Sequence, residues 1–328
     1  MPETETMAPP AASPRTPWVA SPRAKRARVF DFTFSGLTFI SGWGTVALLV
    51  AIGLEVGTQA WPAMAKYGFH FFIDTNWDPN DDVYGALPLI YGTLVSSALA
   101  LLISTPLGIA IAIFLTEDYL HHKLRGFCKF LVELLAAIPS VIYGLWGIYV
   151  VWPITTPVGN WLNAHFGWFP LFSTPASGPG FFPASFVLAI MILPTIAALS
   201  GAALKTTPQA LKEGACALGA TRWDVIFQIT LPVAASGILG AVVLALGRAM
   251  GETMALAMLV GNNSQISASL FAPANTIAAL LANSFGEASG MQVSALMYLS
   301  FILMGLTLGI NAIAEVMLDR SGAGTKHL

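Results

Sequence analysis

Long apolar segments alternate with short polar ones along most of the chain. A helix needs about 20 mostly apolar residues to cross a bilayer, and six segments meet that requirement. We predict spans at residues 37–58, 87–115, 130–151, 183–204, 234–260 and 291–317. A seventh apolar stretch, NTIAALLANSFG (Asn275–Gly286), is too short to cross and is expected to lie at the interface or to re-enter. The pattern predicts an all-α integral membrane protein.

The two ends of the chain differ from the rest. Residues 1–29 contain several prolines and no apolar run, which predicts a disordered tail. The apolar segment that follows is too long for the core of a signal peptide, so we interpret it as the first span. The predicted organisation is a tail at 1–29, a transmembrane domain at 30–318 with a polar loop at 205–232, and a second tail at 319–328.

Composition and charge support this organisation. The chain is 55% hydrophobic and only 10% charged, whereas soluble domains are about 25% charged. Of the 15 Lys and Arg residues, all but Lys66 and Arg248 fall in the tails or in the loops after the second and fourth spans. Basic residues accumulate on the cytoplasmic side, so both termini are predicted to be cytoplasmic.

Several classes of function lack their sequence signals. The chain has no G-x-x-x-x-G-K-[ST] loop for a nucleotide, no H-E-x-x-H and no G-x-S-x-G. The two cysteines form no disulfide or metal pattern. We therefore expect a transport subunit that is not an enzyme, with no cofactor or metal of its own and no nucleic-acid partner. No internal repeat is visible, which weakens the case for a secondary transporter built on inverted repeats.

Two charged residues lie inside the fifth predicted span. Arg248 and Glu252 are four residues apart and, in one continuous helix, would share a face. Gly247 and Gly251 beside them would let another helix approach closely. One interpretation is an ion pair that neutralises two buried charges. The other is a substrate pathway in which Arg248 binds a tetrahedral oxyanion, while Glu252 orients the Arg or accepts a hydrogen bond from the proton that phosphate retains and sulfate lacks.

The loop at 205–232 has a helix–glycine–helix pattern. Thr207-Pro208 predicts the start of a short helix, and Gly219 is suited to the left-handed position after its end. Thr221–Asp224 resembles a capping box that begins a second helix. Such a rigid unit could present one face to a partner, or could be a simple interfacial hairpin.

The same loop carries the elements of a known signature. Its pattern resembles the EAA loop of ABC importer permeases, E-A-A-x3-G-x9-I-x-L-P, at Glu213, Gly214, Ala215, Gly219, Ile229, Leu231 and Pro232. Only Gly214 departs from it, since the family has Ala there. The resemblance implies a type I (MetI-like) fold with a cytoplasmic coupling helix seated on an ATPase. It also implies that Glu213 makes interface contacts and Gly219 forms the turn, although Glu213 could instead be a solvated charge.

Three further stretches resemble the phosphate-specific Pst importers: Tyr84–Glu117, Glu133–Gly147 and Gly247–Asn262. The long outer loop between the third and fourth spans, and GALPLIYGT at the second span, are closer to the PstC-like permease than to the PstA-like one. Arg248 and Glu252 match the charged pair of that family, and Glu133 also matches, although it could simply cap or pair locally. The alternatives are an ABC permease for sulfate, molybdate or phosphonate, and an ATP-independent secondary transporter.

The Pst resemblance implies a machine of several subunits in the inner membrane of a bacterium. This chain would move inorganic phosphate by alternating access. Its partners would be a PstA-like second permease, two copies of a PstB-like ATPase that uses the ATP, an external PstS-like phosphate-binding protein and membrane lipid.

Overall fold

The computed structural model describes residues 22–117 and 121–322 as a largely helical chain. The α-helices are α1 (Pro22–Tyr67), α2 (His70–Ile73), α3 (Leu87–Thr116), α4 (His122–Ala137), α5 (Ser140–Trp146), α6 (Trp152–Phe166), α7 (Phe181–Lys205), α8 (Gln209–Ala217), α9 (Arg222–Val225), α10 (Leu231–Met250), α11 (Met254–Leu259), α12 (Ile277–Ser284) and α13 (Met291–Gly322). Two π-helical turns, Gly147–Val151 and Ile226–Thr230, continue into α6 and α10, and Pro170–Phe172 is a 3₁₀ turn. Strands β1 (Trp77–Asp78) and β2 (Val83–Tyr84) form a small antiparallel hairpin.

Six helical segments in the described residues are long and apolar enough to cross a membrane, which confirms the six predicted spans. They are Thr33–Phe72, Leu87–Thr116, Ser140–Phe166, Phe181–Lys205, Arg222–Met250 and Met291–Val316. The protein is therefore a multi-pass membrane protein. The first span continues to Phe72, well beyond its predicted end at residue 58, and the third and fifth spans also differ from their predicted bounds.

The third span begins later than predicted. Residues 130–137 belong to α4, which ends before Pro139 because the residue before a proline is disfavoured in a helix. The span itself starts at Ser140 and continues to Phe166. The predicted bounds place residues 152–182 between the third and fourth spans, whereas the first half of this segment is the helix α6.

The fifth span is shifted towards the N-terminus, because it runs from Arg222 to Met250 and not over the predicted residues 234–260. Helix α10 ends at Met250, residues 251–253 are not helical, and α11 begins at Met254. Glycine is a poor helix former, and Gly251 stands at the break. The backbone N–H of Ala255 then donates to Glu252 Oε1 at 3.4 Å, so that carboxylate accepts from the first turn of the next helix.

The chain divides into two compact units, residues 1–55 and 56–328. The described part of the first unit is the first part of α1, whose apolar side chains, such as Phe39 and Trp43, are exposed. The predicted tail at 1–29 overlaps α1 from Pro22 onward, where Ala, Lys and Arg favour a helix; residues 1–21 lie outside the described residues. At the other end, α13 reaches Gly322, beyond the predicted start of the C-terminal tail, and residues 323–328 also lie outside.

The core of the second unit is formed where α3, α7 and α10 pack together. Small residues allow the close approach, as is usual between membrane helices. A Cβ at Gly108 would lie 2.7 Å from Cγ2 of Ile196, so α3 and α7 touch through this glycine. Nearer the 205–232 loop, Leu204 and Ala234 are buried in a smaller cluster that joins α7 to α10.

A second cluster lies at the opposite end of the spans. The rings of Phe71 and Tyr298 stack with centroids 4.4 Å apart, and Tyr84 of the β-hairpin is buried beside them. The short helix α12 packs into the same region with Ile277 fully buried. The first half of the apolar stretch that was predicted to be too short to cross, residues 275–280, is therefore buried within the protein, whereas Phe285 near its end is exposed.

Candidate functional site

The first helix of the 205–232 loop ends in a complete glycine-dependent cap. Gly219 has a φ of +90°, a conformation that side chains with a Cβ rarely adopt. Its N–H donates to Cys216 O at 3.0 Å, and the N–H of Ala220 donates to Ala215 O at 3.1 Å. These two bonds define a Schellman motif, so the predicted turn at Gly219 is confirmed. The first helix starts at Gln209 with Pro208 as its N-cap, one residue later than predicted.

The second helix of the loop begins with the predicted capping box. The Thr221 side chain accepts from the N–H of Asp224, and the Asp224 carboxylate accepts from the N–H of Thr221 at 2.9 Å. These bonds satisfy two of the backbone donors that a helix start leaves unpaired. The turn between α8 and α9 is thus held by local hydrogen bonds on both sides of Gly219.

The signature residues of the loop divide into an exposed group and a half-buried group. Exposed are Glu213, Gly214, Gly219 and Pro232; half-buried are Ala215, Ile229 and Leu231. The loop also exposes large apolar side chains that the signature does not include. Leu218 is 91% exposed, and the exposed rings of Trp223 and Phe227 stack with centroids 6.0 Å apart. Exposed apolar patches of this kind are typical of surfaces that contact another protein.

An ion pair joins the loop to the end of α3. Lys212 Nζ lies 2.6 Å from Glu117 Oε1, and both side chains are less than a quarter exposed. The backbone oxygen of Glu117 accepts from Arg125 Nη2 of α4 at 2.9 Å. Glu117 therefore contacts both the loop and α4. Sequence reasoning missed this pair because its members are 95 residues apart and carry no local signal.

Arg248 borders a cavity of about 500 Å³ among three spans. The lining residues are Thr195 of α7, Leu244, Gly247 and Arg248 of α10, and Thr307 and Asn311 of α13. We call this the Arg248 cavity. None of its lining residues is a carboxylate, so its only charged side chain is a cation.

Arg248 is held by a neighbouring span. Its Nη1 donates to Thr195 Oγ1 at 3.0 Å, and the side chain is exposed in the isolated chain. Thr195 lies about 15 Å along α7 from the end at Lys205, at 1.5 Å per residue, and the apolar layer of a bilayer is about 30 Å thick. Arg248 therefore lies near the middle of the spans, where an unpaired charge is unfavourable.

Glu252 does not share the helical face of Arg248. The predicted common face is wrong, because α10 ends between the two residues and Glu252 accepts from Ala255 instead. Among the ion pairs of the described residues, none joins Arg248 to Glu252. Of the two predicted glycines, Gly247 faces a neighbouring span at Asn311, whereas near Gly251 lie only backbone atoms of its own helix.

Glu133 forms a local ion pair, which is one of the two roles that the sequence left open for it. Its carboxylate lies 3.5 Å from Lys129 Nζ one turn earlier in α4, and both side chains are largely exposed. Exposed pairs of this spacing contribute about 0.3–0.5 kcal/mol, so this contact is a minor one.

Comparisons with known proteins agree on one family. Residues 104–320 match the sequence profile of the family described as "Binding-protein-dependent transport system inner membrane component". The chain is 42% identical to the phosphate transport system permease protein PstC of Mesorhizobium japonicum, over 94% of this chain and 97% of that one. It is 41% identical to the PstC protein of Haemophilus influenzae, over 83% and 88% of the two chains.

Solved structures with a similar fold are also transporters. A bacterial ABC transporter involved in the import of the acidic polysaccharide alginate matches with a TM-score of 0.60 and 21% identity, covering 89% of this chain and 99% of that chain. The inward-facing MetNI methionine ABC transporter matches with a TM-score of 0.53 and 18% identity, covering 71% and 96%. At these identities the similarity concerns the fold, which is that of a type I ABC importer permease.

Proposed function

The chain belongs to the binding-protein-dependent transport system inner membrane components, and we propose that it is the permease subunit of an ATP-driven importer of inorganic phosphate. The observation that carries the proposal is the 42% identity to a PstC phosphate permease along nearly the full length of both chains. A cavity whose only charged lining residue is Arg248 fits an anionic cargo.

The partners follow from the mode of transport. A second, PstA-like permease would complete the pathway, because Arg248 is exposed in the isolated chain at mid-span depth. A PstS-like binding protein would deliver phosphate on one side, and two copies of a PstB-like ATPase would supply the driving force on the other. The ATP would be bound by the ATPase, and this chain would bind no cofactor of its own. The distribution of Lys and Arg supports a cytoplasmic position for both termini and for the 205–232 loop.

The 205–232 loop is proposed to be the coupling element. Its turn is rigid because Gly219 and the Thr221–Asp224 box satisfy the backbone on both sides. Glu213 projects from the exposed surface of α8 and would contact the ATPase, while Ile229, Leu231 and Pro232 connect the loop to α10. Gly214 and Ala215 are small, so they would allow the ATPase to approach α8 closely.

Arg248 and Glu252 are proposed to line the substrate pathway with separate tasks. Arg248 would bind the oxyanion through its planar donor fork, with Thr195 holding its orientation. Glu252 would contact the substrate at a different point of the pathway, at the break between α10 and α11. It would not orient Arg248 directly.

Uptake by the reconstituted transporter tests the proposal. Liposomes containing this chain, the second permease and the ATPase should take up labelled phosphate only with internal ATP and external binding protein. Arsenate should compete strongly and sulfate weakly, because arsenate also retains a proton at neutral pH. Strong competition by sulfate, molybdate or phosphonate would assign the permease to another oxyanion. Uptake that survives ATP depletion while an ion gradient remains would instead indicate a secondary transporter.

A further inference from the structure

The last span contributes two polar side chains to the Arg248 cavity. Thr307 and Asn311 lie four residues apart on α13 and both line the cavity, as expected of neighbours on one helical face. A Cβ added at Gly247 would lie 3.8 Å from both the Oδ1 and the Nδ2 of Asn311. The Asn311 amide therefore lies beside the backbone that carries Arg248.

The hydrogen bonds that the polar side chains of the Arg248 cavity already make determine whether each can still donate to an anion or accept from it. Thr307 Oγ1 lies 2.9 Å from the carbonyl oxygens of Leu303 and Met304 and donates its proton there, so its remaining capacity is to accept. Thr195 Oγ1 accepts from Arg248 and keeps its proton to donate. Among the hydrogen bonds of the described residues, none involves the exposed amide of Asn311, which can both donate and accept.

We propose that Thr307 and Asn311 contact the transported anion directly and that their oxygens accept hydrogen bonds from the protonated oxygen of a tetrahedral oxyanion. Arg248, the Thr195 hydroxyl and the Asn311 Nδ2 donate to the other oxygens of the same anion. The site is thus built for a hydrogen-bearing oxyanion such as hydrogenphosphate. This inference rests on the proposed function, because it requires an oxyanion to pass Arg248.

Neutral acceptors suit this task better than a carboxylate would. A carboxylate in the wall would pair with Arg248 and repel the anion, whereas Thr307 Oγ1 and Asn311 Oδ1 carry no net charge. For a fully deprotonated anion such as sulfate, the lone pairs of these atoms would face other lone pairs and remain unsatisfied. An acceptor that loses its water to a bound anion and gains no donor is destabilising, so the site would discriminate by protonation, as polar sites commonly do.

Transport rates of matched variants test whether Thr307 and Asn311 contact the anion. Thr307→Val removes the hydroxyl with little change of shape, and Asn311→Leu removes the amide. In the complete reconstituted transporter with saturating binding protein, we expect each to lower the maximal rate of phosphate uptake by about 3- to 10-fold, as for loss of one hydrogen bond. Ser300→Ala is the control, since Ser300 makes the same backbone bond, to Leu296 O at 3.0 Å, on α13 but does not line the cavity.

Asn311→Asp separates a role in binding from a role in packing. The substitution preserves size but introduces a carboxylate that pairs with Arg248 or repels the anion, so uptake should fall further than with Asn311→Leu while the complex still assembles. Wild-type uptake by Thr307→Val, Asn311→Leu and Asn311→Asp would overturn the inference. A wild-type transporter that moves no phosphate would instead overturn the proposed function.

Thermal unfolding tests the preference for a protonated anion. The purified complex is heated in sodium phosphate and in sodium sulfate at equal ionic strength, and Arg248→Gln is measured alongside to subtract anions bound elsewhere. We expect the Arg248-dependent stabilisation to be greater in phosphate, and Thr307→Val to remove that excess. Equal Arg248-dependent shifts in the two salts, or none, would overturn the acceptor role.

Discussion

Lys212 Nζ lies 2.6 Å from Glu117 Oε1, so the first helix of the 205–232 loop is tied to the end of α3 by a half-buried ion pair. Helix α3 packs along α7, the span that carries Thr195, the partner of Arg248. A displacement of the loop would therefore reach the cavity wall through α3 as well as through the direct connection into α10. The pair is a mechanical link that the signature of the loop does not include.

Loss of this ion pair should reduce coupling. Lys212→Met leaves the Glu117 carboxylate without its partner, and we expect phosphate uptake to fall several-fold while ATP hydrolysis continues. The ratio of phosphate moved to ATP hydrolysed measures this. Lys205→Met, at an exposed lysine where α7 ends, is the control. The charge-swapped pair Lys212→Glu with Glu117→Lys should recover part of the ratio, and an unchanged ratio in Lys212→Met would exclude the link.

The turn of the loop should depend on glycine at one position only. A side chain at Gly219 must adopt a φ of +90°, which costs about 1–2 kcal/mol for residues with a Cβ. We expect Gly219→Val to impair uptake strongly and Gly219→Asn less, because Asn tolerates the left-handed region better. Gly214→Ala is the matched control: a Cβ there meets no atom within 4 Å, and Ala favours the helix. Equal uptake by Gly219→Val and Gly214→Ala would contradict this account.

Glu213 offers a test of the ATPase contact itself. The side chain is exposed on α8, and Ala is a good helix former, so Glu213→Ala should leave this chain folded. We expect less ATPase to co-purify with the variant, or ATP hydrolysis that no longer depends on phosphate delivery. Co-purification and coupling at the wild-type level would mean that Glu213 is a solvated charge.

The loop could be predicted from the sequence almost to the residue, whereas the Arg248 cavity could not. The turn depends on local signals, a glycine and a Thr-x-x-Asp box, which act within a few residues. The spacing of Arg248 and Glu252 indicates a shared face only if the helix is continuous, and the break after Met250 has Gly251 as its only signal. Lys212–Glu117 and Arg248–Thr195 join distant segments, so they depend on packing that no local pattern records.

A close approach between α3 and the segment before α12 should be sensitive to one methyl group. A Cβ at Gly92 would overlap the carbonyl oxygen of Asn275, and the adjacent Thr93 Oγ1 accepts from Ile277 N–H at 3.0 Å. Because backbone atoms cannot move aside cheaply, we expect Gly92→Ala to destabilise the protein by about 1–3 kcal/mol or more. Thermal unfolding of the purified complex measures this. Gly240→Ala is the control, because a Cβ there meets nothing within 4 Å, and it should leave the midpoint of thermal unfolding unchanged. An unchanged midpoint in Gly92→Ala would show that the approach between the two segments is not tight.

Arg248 should be indispensable for transport but not for assembly. Arg248→Gln removes the only charge that lines the cavity and should abolish phosphate uptake. The complex should still purify intact, because the side chain is exposed and, among the described residues, hydrogen-bonds only to Thr195. Arg248→Lys keeps the charge but loses the planar fork, so we expect an intermediate rate, about tenfold below wild type if one charge-assisted hydrogen bond is lost. Size-exclusion profiles and uptake rates of the two variants provide the measurement. Wild-type uptake by Arg248→Gln would reduce Arg248 to a structural residue and remove the charged centre from the proposed pathway.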